Sequence, residues 1–330
     1  MKRKLGKSGI EVSALGMGCW PIGGSWDTAD GKNFKWEGIS DSESLRTLQT
    51  ALDNGINFFD TADCYGAGHS EELLGKAFKG KRDKVIIATK FGHLFTQGKG
   101  FEGKTDTSPE YMQKALEGSL RRLQTDYIDL YQLHIWEFPP EKADSVLETL
   151  EKFVAEGKIR GYGWSTDVLK GVEAFGKGKH NIATQIILNI FEGANRILQY
   201  AEKKYIAVLC RSCLAMGLLS GKHSPEKPLP KNDVRSSNDA WIAWFKDGKP
   251  NPEYLKRLEA VKEILMKGGR TLVQGALSWI WAKSPLTIPI PGIKNVSQAI
   301  ENSKAMEFGP LSKEDMEEIE RLVVFRDVTF

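Results

Sequence analysis

"INFFDTADCYGAGHSEELLGKAFKGKRDKVIIATK", residues 56–90, decides the fold. It opens on an apolar run, "INFFDTA", that reads as a buried strand. "SEELLGKAFKG" then takes up helical spacing and stops at Gly80, and "KVIIATK" is a second apolar run. Strand, amphipathic helix and strand in that order make a unit of two parallel strands joined by a helix.

The unit repeats in both directions. Upstream, "SALGMGC" (13–19) reads as a strand. "SDSESLRTLQTALDNG" (40–55) reads as a helix capped by Ser40 or Asp41, with Leu45, Leu48, Ala51 and Leu52 on its apolar face. Downstream, the strand-like runs are "YIDLYQLH" (127–134), "IRGYGWS" (159–165), "ATQIILN" (183–189), "IAVLCRS" (206–212) and "LTIPIPG" (286–292). Helical runs separate them, among them "SPEYMQKALEGSLRRLQ" with Ser108 as cap and Pro109 at its first position. Eight strand-like runs, nearly all followed by a helix, imply a parallel sheet. That number favours an α/β fold closed as a (β/α)8 TIM barrel with long loops at its C-terminal face; an open doubly wound sheet is the alternative. No Pro/Gly/Ser linker divides residues 1–330, so one barrel domain is expected. Segment 221–252 is expected to be a long loop that covers a cofactor. Residues 312–330 are expected to add a C-terminal helix, running to 327, and a tail.

The formal net charge of +3 is spread over mixed signs, with no Lys/Arg block to mark a nucleic-acid or membrane partner. The basic start has no apolar segment after it, and no apolar run is long enough to span a bilayer. Four cysteines in 330 residues do not make a disulfide scaffold, so a reducing cytoplasm is expected. "CRSC" (210–213) lies on a strand rather than at a helix start, which argues against a redox pair, and no second pair has metal spacing.

In such a barrel the active site is built at the C-terminal ends of the strands. Asp60 ends the second run, Lys90 the third and His134 the fourth, and Tyr65 sits on the loop between the first two of these. Each alone has an ordinary reading: a turn cap, a solvated lysine, a core histidine, a packed loop aromatic. At adjacent strand ends they make a chemistry. An ammonium beside a phenol stabilises the phenolate and lowers its pKa, and an aspartate fixes the ammonium. A histidine can hold a substrate oxygen. The set is a general acid for an alkoxide forming from a carbonyl.

"FFDTADCYG", "GHSEELLGKAF", "ATKFG", "IDLYQLH", "GKIRGYGWS" and "IPGIKNVSQAIEN", in this order over nearly the whole chain, resemble the successive motifs of the aldo-keto reductase superfamily. The resemblance implies a single barrel that binds NADPH, or sometimes NADH, and that reduces an aldehyde or ketone or oxidises the matching alcohol or sugar alcohol. It implies Asp60, Tyr65, Lys90 and His134 as a catalytic tetrad. Gly18, Cys19, Trp20, Ser165 and Gln185 would lie at the cofactor, with Asn189 on the same floor. Ser212, Leu214, Gly217, Ser220, Lys222 and Arg235 would surround the pyrophosphate. Gly292, Lys294, Gln298, Glu301 and Asn302 would meet the adenosine end, where a helix N-terminus near Asn295 favours an anion. Trp20, Trp26 and Trp136 are expected to line the pocket of a small carbonyl or sugar substrate.

Two positions leave the family pattern. Arg211 stands where an aromatic ring often stacks on the nicotinamide, and is expected near that ring or the adjacent phosphates, with the cofactor phosphates or an acidic substrate as its anion, rather than in a surface salt bridge. Thr166 stands where an Asn is usual. The rival reading is a nucleotide-binding regulatory or scaffold subunit with little turnover.

Overall fold

The computed structural model describes residues 1–27, 33–36, 38–97 and 100–327. At its centre are eight parallel strands: β1 (Gly16–Gly18), β2 (Phe58–Asp60), β3 (Ile86–Phe91), β4 (Leu130–Leu133), β5 (Tyr162–Ser165), β6 (Asn181–Ile187), β7 (Ala207–Arg211) and β8 (Thr287–Pro289). Each pairs with the next in chain order. Gly18 bridges to Gly292 and so joins the first strand to the segment after the last. This is the expected barrel, and the open sheet is excluded. A Cβ on Gly18 would stand 2.7 Å from the Ile290 carbonyl oxygen, so the seam closes only with glycine there.

Around the barrel run α1 (Asp41–Asp53), α2 (His69–Ala77), α3 (Pro109–Leu123), α4 (Ala143–Ala155), α5 (Leu169–Phe175), α6 (Asn195–Lys204), α7 (Pro252–Met266), α8 (Leu272–Lys283), α9 (Val296–Phe308) and α10 (Lys313–Leu322). Ser40 and Ser108 accept N–H groups at the starts of α1 and α3, as their sequences imply. Among the described residues no helix is long and apolar enough to cross a membrane.

The period of two along each strand divides the barrel interior into layers. Phe58, Ala88, Leu130 and Ala183 belong to a buried apolar cluster at the barrel base. Two residues further along the same strands stand Asp60, Lys90, Gln132 and Gln185, all buried. An apolar floor thus carries a polar layer directly above it.

Four elements depart from expectation. The residues before β1 form an antiparallel hairpin, Lys2–Lys4 with Glu11–Ser13, whose Leu5, Ile10 and Val12 plug the barrel base. Over the mouth, Ser25–Asp27, Asn33–Lys35, His93–Thr96 and Gly100–Thr105 make a four-stranded sheet. The segment after β7 is irregular, with a two-residue-strand hairpin at Phe245–Pro250, but it leads into α7, which was not foreseen. Asn251 caps α7 and Pro252 occupies its first turn. Finally α10 stops at Leu322, short of 327. Beyond it, Arg326–Asp327 pairs in parallel with Glu192–Gly193, an extended run that suits the β-branched "VV".

Candidate active site

The polar layer is a closed hydrogen-bond network. Lys90, wholly buried at the end of β3, spends its three N–H donors on three acceptors. They are Asp60 Oδ1 at 2.6 Å, the Thr61 carbonyl at 2.7 Å and Tyr65 Oη at 3.2 Å. The other carboxylate oxygen of Asp60 accepts from Gln185 Nε2 (2.8 Å) and Gln132 Nε2 (3.1 Å). Ser165 Oγ donates to Gln185 Oε1 at 3.4 Å. A buried ion pair is tolerable only when its remaining valences are met in this way.

Tyr65 reaches this network because its loop turns sharply. Gly66 has φ +60°, and a Cβ there would collide with the Gly23 carbonyl, so the loop lies against the turn after β1. The phenol does not have the lowered pKa that Lys90 alone would give it. Burial outweighs Lys90 and lifts it to about 12, with Asp60 and Cys64 adding to the rise. Lys90 itself, which burial alone would discharge, is held charged by Asp60 and then Tyr65. His134 is held neutral: burial, and then Lys90, His93 and Arg211, push its pKa well down. The Tyr65 and His134 rings meet edge to face at 5.7 Å.

A run of rings extends from this pair. Trp241 and Trp20 are 6.1 Å apart, Trp20 and Tyr65 6.1 Å, His134 and His93 5.1 Å, and His93 and Phe101 5.0 Å. Trp20 also packs edge-on against the buried Trp36. Trp136 and Trp241 are exposed. Trp26 lies on the mouth sheet, with its side chain outside the described residues.

The family description "Aldo/keto reductase family" matches residues 14–324. The chain belongs to this family. It is 32% identical over 322 residues to "Aldo-keto reductase YhdN" of Bacillus subtilis, covering 96% of this chain and 91% of the relative. It is 30% identical over 316 residues to "Aldo-keto reductase yakc [NADP(+)]" of Schizosaccharomyces pombe, covering 92% and 86%. Among solved structures, the glycerol dehydrogenase AKR11B4 from Gluconobacter oxydans is 31% identical, with a TM-score of 0.81 over 97% of this chain and 94% of that one. As an aldo-keto reductase the chain is an oxidoreductase.

The cofactor-side residues of this aldo-keto reductase hold several surprises. Arg211 does not wait for a ligand's anion: its guanidinium pairs with Asp167, a buried carboxylate whose other oxygen accepts from the Ile187 N–H at 2.6 Å. Arg235, foreseen as a pyrophosphate clamp, is buried and engaged by Asp233 through Nε (2.8 Å) and Nη2 (2.7 Å), with His223 on its third nitrogen. At the start of α9 an anion is already seated, and it is internal. Glu43 Oε1 accepts the Val296 N–H at 3.1 Å, while Arg46 holds the same carboxylate. Gln298 turns back to accept the Lys294 N–H at 2.8 Å. Asn302 is buried, and the Glu301 carbonyl accepts from Gln274.

Other side chains serve the architecture. Asn189 donates to the Ser212 carbonyl, and Ser220 to that of Gly217. Thr166 bonds the Trp136 carbonyl and the Val168 N–H. The buried Cys19 thiol turns to the Met17 carbonyl, and Gly18 donates to the Pro291 carbonyl beside Gly292. Leu214 and Lys222 flank the loop at Ala215–Ser220, Lys222 exposed. Sequence reasoning overlooked Gln132, Asp167 and Glu43. Gln132 could have been found, since it stands two residues after Leu130 in "IDLYQLH" and so shares its inward face. The others act across long stretches of chain that no local pattern connects.

Proposed function

We propose that this chain is an NADPH-linked oxidoreductase that reduces an aldehyde or ketone, or oxidises the matching alcohol or sugar alcohol, with Tyr65 as general acid. One observation carries the reading. Lys90 donates to the Tyr65 oxygen, so that oxygen is an acceptor toward the interior and its own proton is the one it can hand outward. Once that proton leaves, the phenolate faces a saturated ammonium at 3.2 Å, a charge-assisted contact in a dry site. Asp60 keeps the ammonium in place, and neutral His134 can hold the carbonyl oxygen without competing as an acid.

The residues fit a dinucleotide. Ser212, Ala215, Met216 and Gly217 all have positive φ, which curls the loop into a nest that would receive an anion, although the Ala215 and Gly217 N–H groups turn to the Ser212 and Leu214 carbonyls. Lys294 lies across Trp36, its Nζ 5.9 Å from the ring centroid, at the start of α9. When bound, the dinucleotide supplies the hydride from its nicotinamide ring. Ser165 and Gln185 would hold its carboxamide, the nest its pyrophosphate, and Lys294 its 2′-phosphate. The NADP(+) in the fission yeast relative's name supports the phosphorylated cofactor. The glycerol dehydrogenase supports a small hydroxylated substrate.

Carbonyl and sugar substrates followed by NADPH absorbance test the reading. Tyr65→Phe should keep cofactor binding and lose about 10² to 10⁴ in turnover; near-full activity in that variant would refute the acid assignment. A scaffold subunit would bind cofactor and turn over nothing. With the phenol held near 12, kcat/KM for reduction should not lose its acid below about pH 10. Alcohol oxidation, which needs the phenolate, should rise with pH.

A further inference from the structure

His134 is neutral, so one ring nitrogen carries a proton and the other does not. Nothing in the tetrad itself decides which. The Nδ1 side of the ring faces the Cys64 sulfur at 3.7 Å. Cys64 is free and partly buried, and it immediately precedes Tyr65. We propose that the Cys64 thiol is a positioning residue for the reaction: it donates its S–H to His134 Nδ1 and so fixes the tautomer that carries the proton on Nε2, the nitrogen left for a substrate oxygen.

The direction of this contact follows from the chemistry of the groups. A neutral thiol donates weakly and accepts more weakly still, whereas an unprotonated imidazole nitrogen is a good acceptor. The thiol stays a thiol because burial, and then Asp63, raise its pKa far above neutrality. Protonation of His134 is opposed from several elements: by burial, by Lys90 on β3, by His93 on the mouth sheet and by Arg211 on β7. The main chain at His134 is pinned, since its N–H donates to the Phe91 carbonyl at 2.8 Å, and the ring is held by edge contacts with the Tyr65 and His93 rings. The tautomer is therefore the remaining freedom, and Cys64 is positioned to remove it. The same burial makes Cys64 a poor nucleophile, which argues against a reactive or redox role.

The inference rests on the reductase reading for its use, but its test does not. Two-bond ¹H–¹⁵N correlation spectra report imidazole tautomers without turnover. His134→Gln identifies the His134 signals among the five histidines. Wild type should show one dominant tautomer with the proton on Nε2. Cys64→Ala should show a mixture, and Cys64→Ser, which keeps a donor on a shorter bond, an intermediate case. In carbonyl reduction Cys64→Ala should lower kcat about threefold to tenfold, the worth of one hydrogen bond, with cofactor Kd unchanged. Proton on Nδ1 in the wild type, or an unaltered single tautomer in Cys64→Ala, overturns the proposal. A chain with no turnover but the stated spectra would instead count against the reductase reading.

Discussion

Two cations stand near the ends of β3 and β7, across the barrel from each other, and their surroundings differ. At Lys90 the count balances. One carboxylate, Asp60, meets one ammonium, and the third N–H is left for Tyr65. At Arg211 the guanidinium pairs with Asp167, and a second acid, Glu192, lies close enough to feel both and feels Arg326 more strongly still. Glu192 is buried, and one of its oxygens has no hydrogen-bond partner. Burial, with Asp167 adding to it against the pull of Arg326 and Arg211, lifts Glu192 to about 7. The Lys90 pair leaves an N–H for Tyr65, whereas the Arg211 pair stands beside an acid that burial keeps protonated to higher pH.

Breaking the balanced side should have the largest effect. Lys90→Met leaves Asp60 buried with no counter-ion and should cost about 3 to 5 kcal/mol of stability, with turnover lost as well. Urea unfolding checks the first part, and a midpoint equal to wild type would mean that the pair adds nothing to the stability of the fold.

The second acid, Glu192, should show itself through pH. Glutamate in an unfolded chain titrates near 4.3, well below the folded value of about 7. The folded state therefore binds the extra proton between these values, and stability falls as pH rises through this window. The whole effect is up to about 4 kcal/mol, fully present below pH 4 and lost above pH 7. Glu192→Gln should flatten the slope in urea titrations at pH 5 and pH 8; an equal slope in both proteins would reassign it.

Arg211→Ala comes next. Its side chain is 29% exposed, so water can reach part of the Asp167 site once the guanidinium is gone. The cost should be about 1 to 2 kcal/mol, below that at Lys90. Arg211→Lys should recover only part, because it loses the planar fork. If instead Arg211→Ala left stability intact and weakened NADPH binding, the cofactor role expected of Arg211 would be supported.

The smallest effect should be at the far end of the cofactor site. A carboxylate on the Val296 N–H stands where a 2′-phosphate would benefit from the same helix start. Glu43→Gln should raise selectivity for NADPH over NADH roughly two- to fivefold, read from paired dissociation constants. A shift toward NADH would show that Glu43 supports the phosphate through Arg46.

The sequence exposed some of these features and concealed others. All eight barrel strands were legible because both of their faces are buried, which writes each as an apolar run. Asp60 and Lys90 were legible because polar residues interrupt those runs at their ends. The amino-terminal hairpin was not: "KRK" and "EVS" show no apolar alternation, and Leu5 and Ile10 sit in the turn between them. Burial of the phenol was not legible either, so the direction of its shift came out reversed. The partner of Arg211 lies on the segment after β5, and the anion at α9 comes from α1. Such pairings exist only once the barrel has closed.

The hairpin that plugs the base also bears on the order of assembly. Leu5, Ile10 and Val12 share a buried cluster with residues of strands from β2 to β8, the last of them Ile288. A ribosome makes the plug before the residues it must sit upon, so that segment has no partner while the chain emerges. Its docking is then a late event, and the barrel should gain its last protection against amide hydrogen exchange from the base rather than from the mouth.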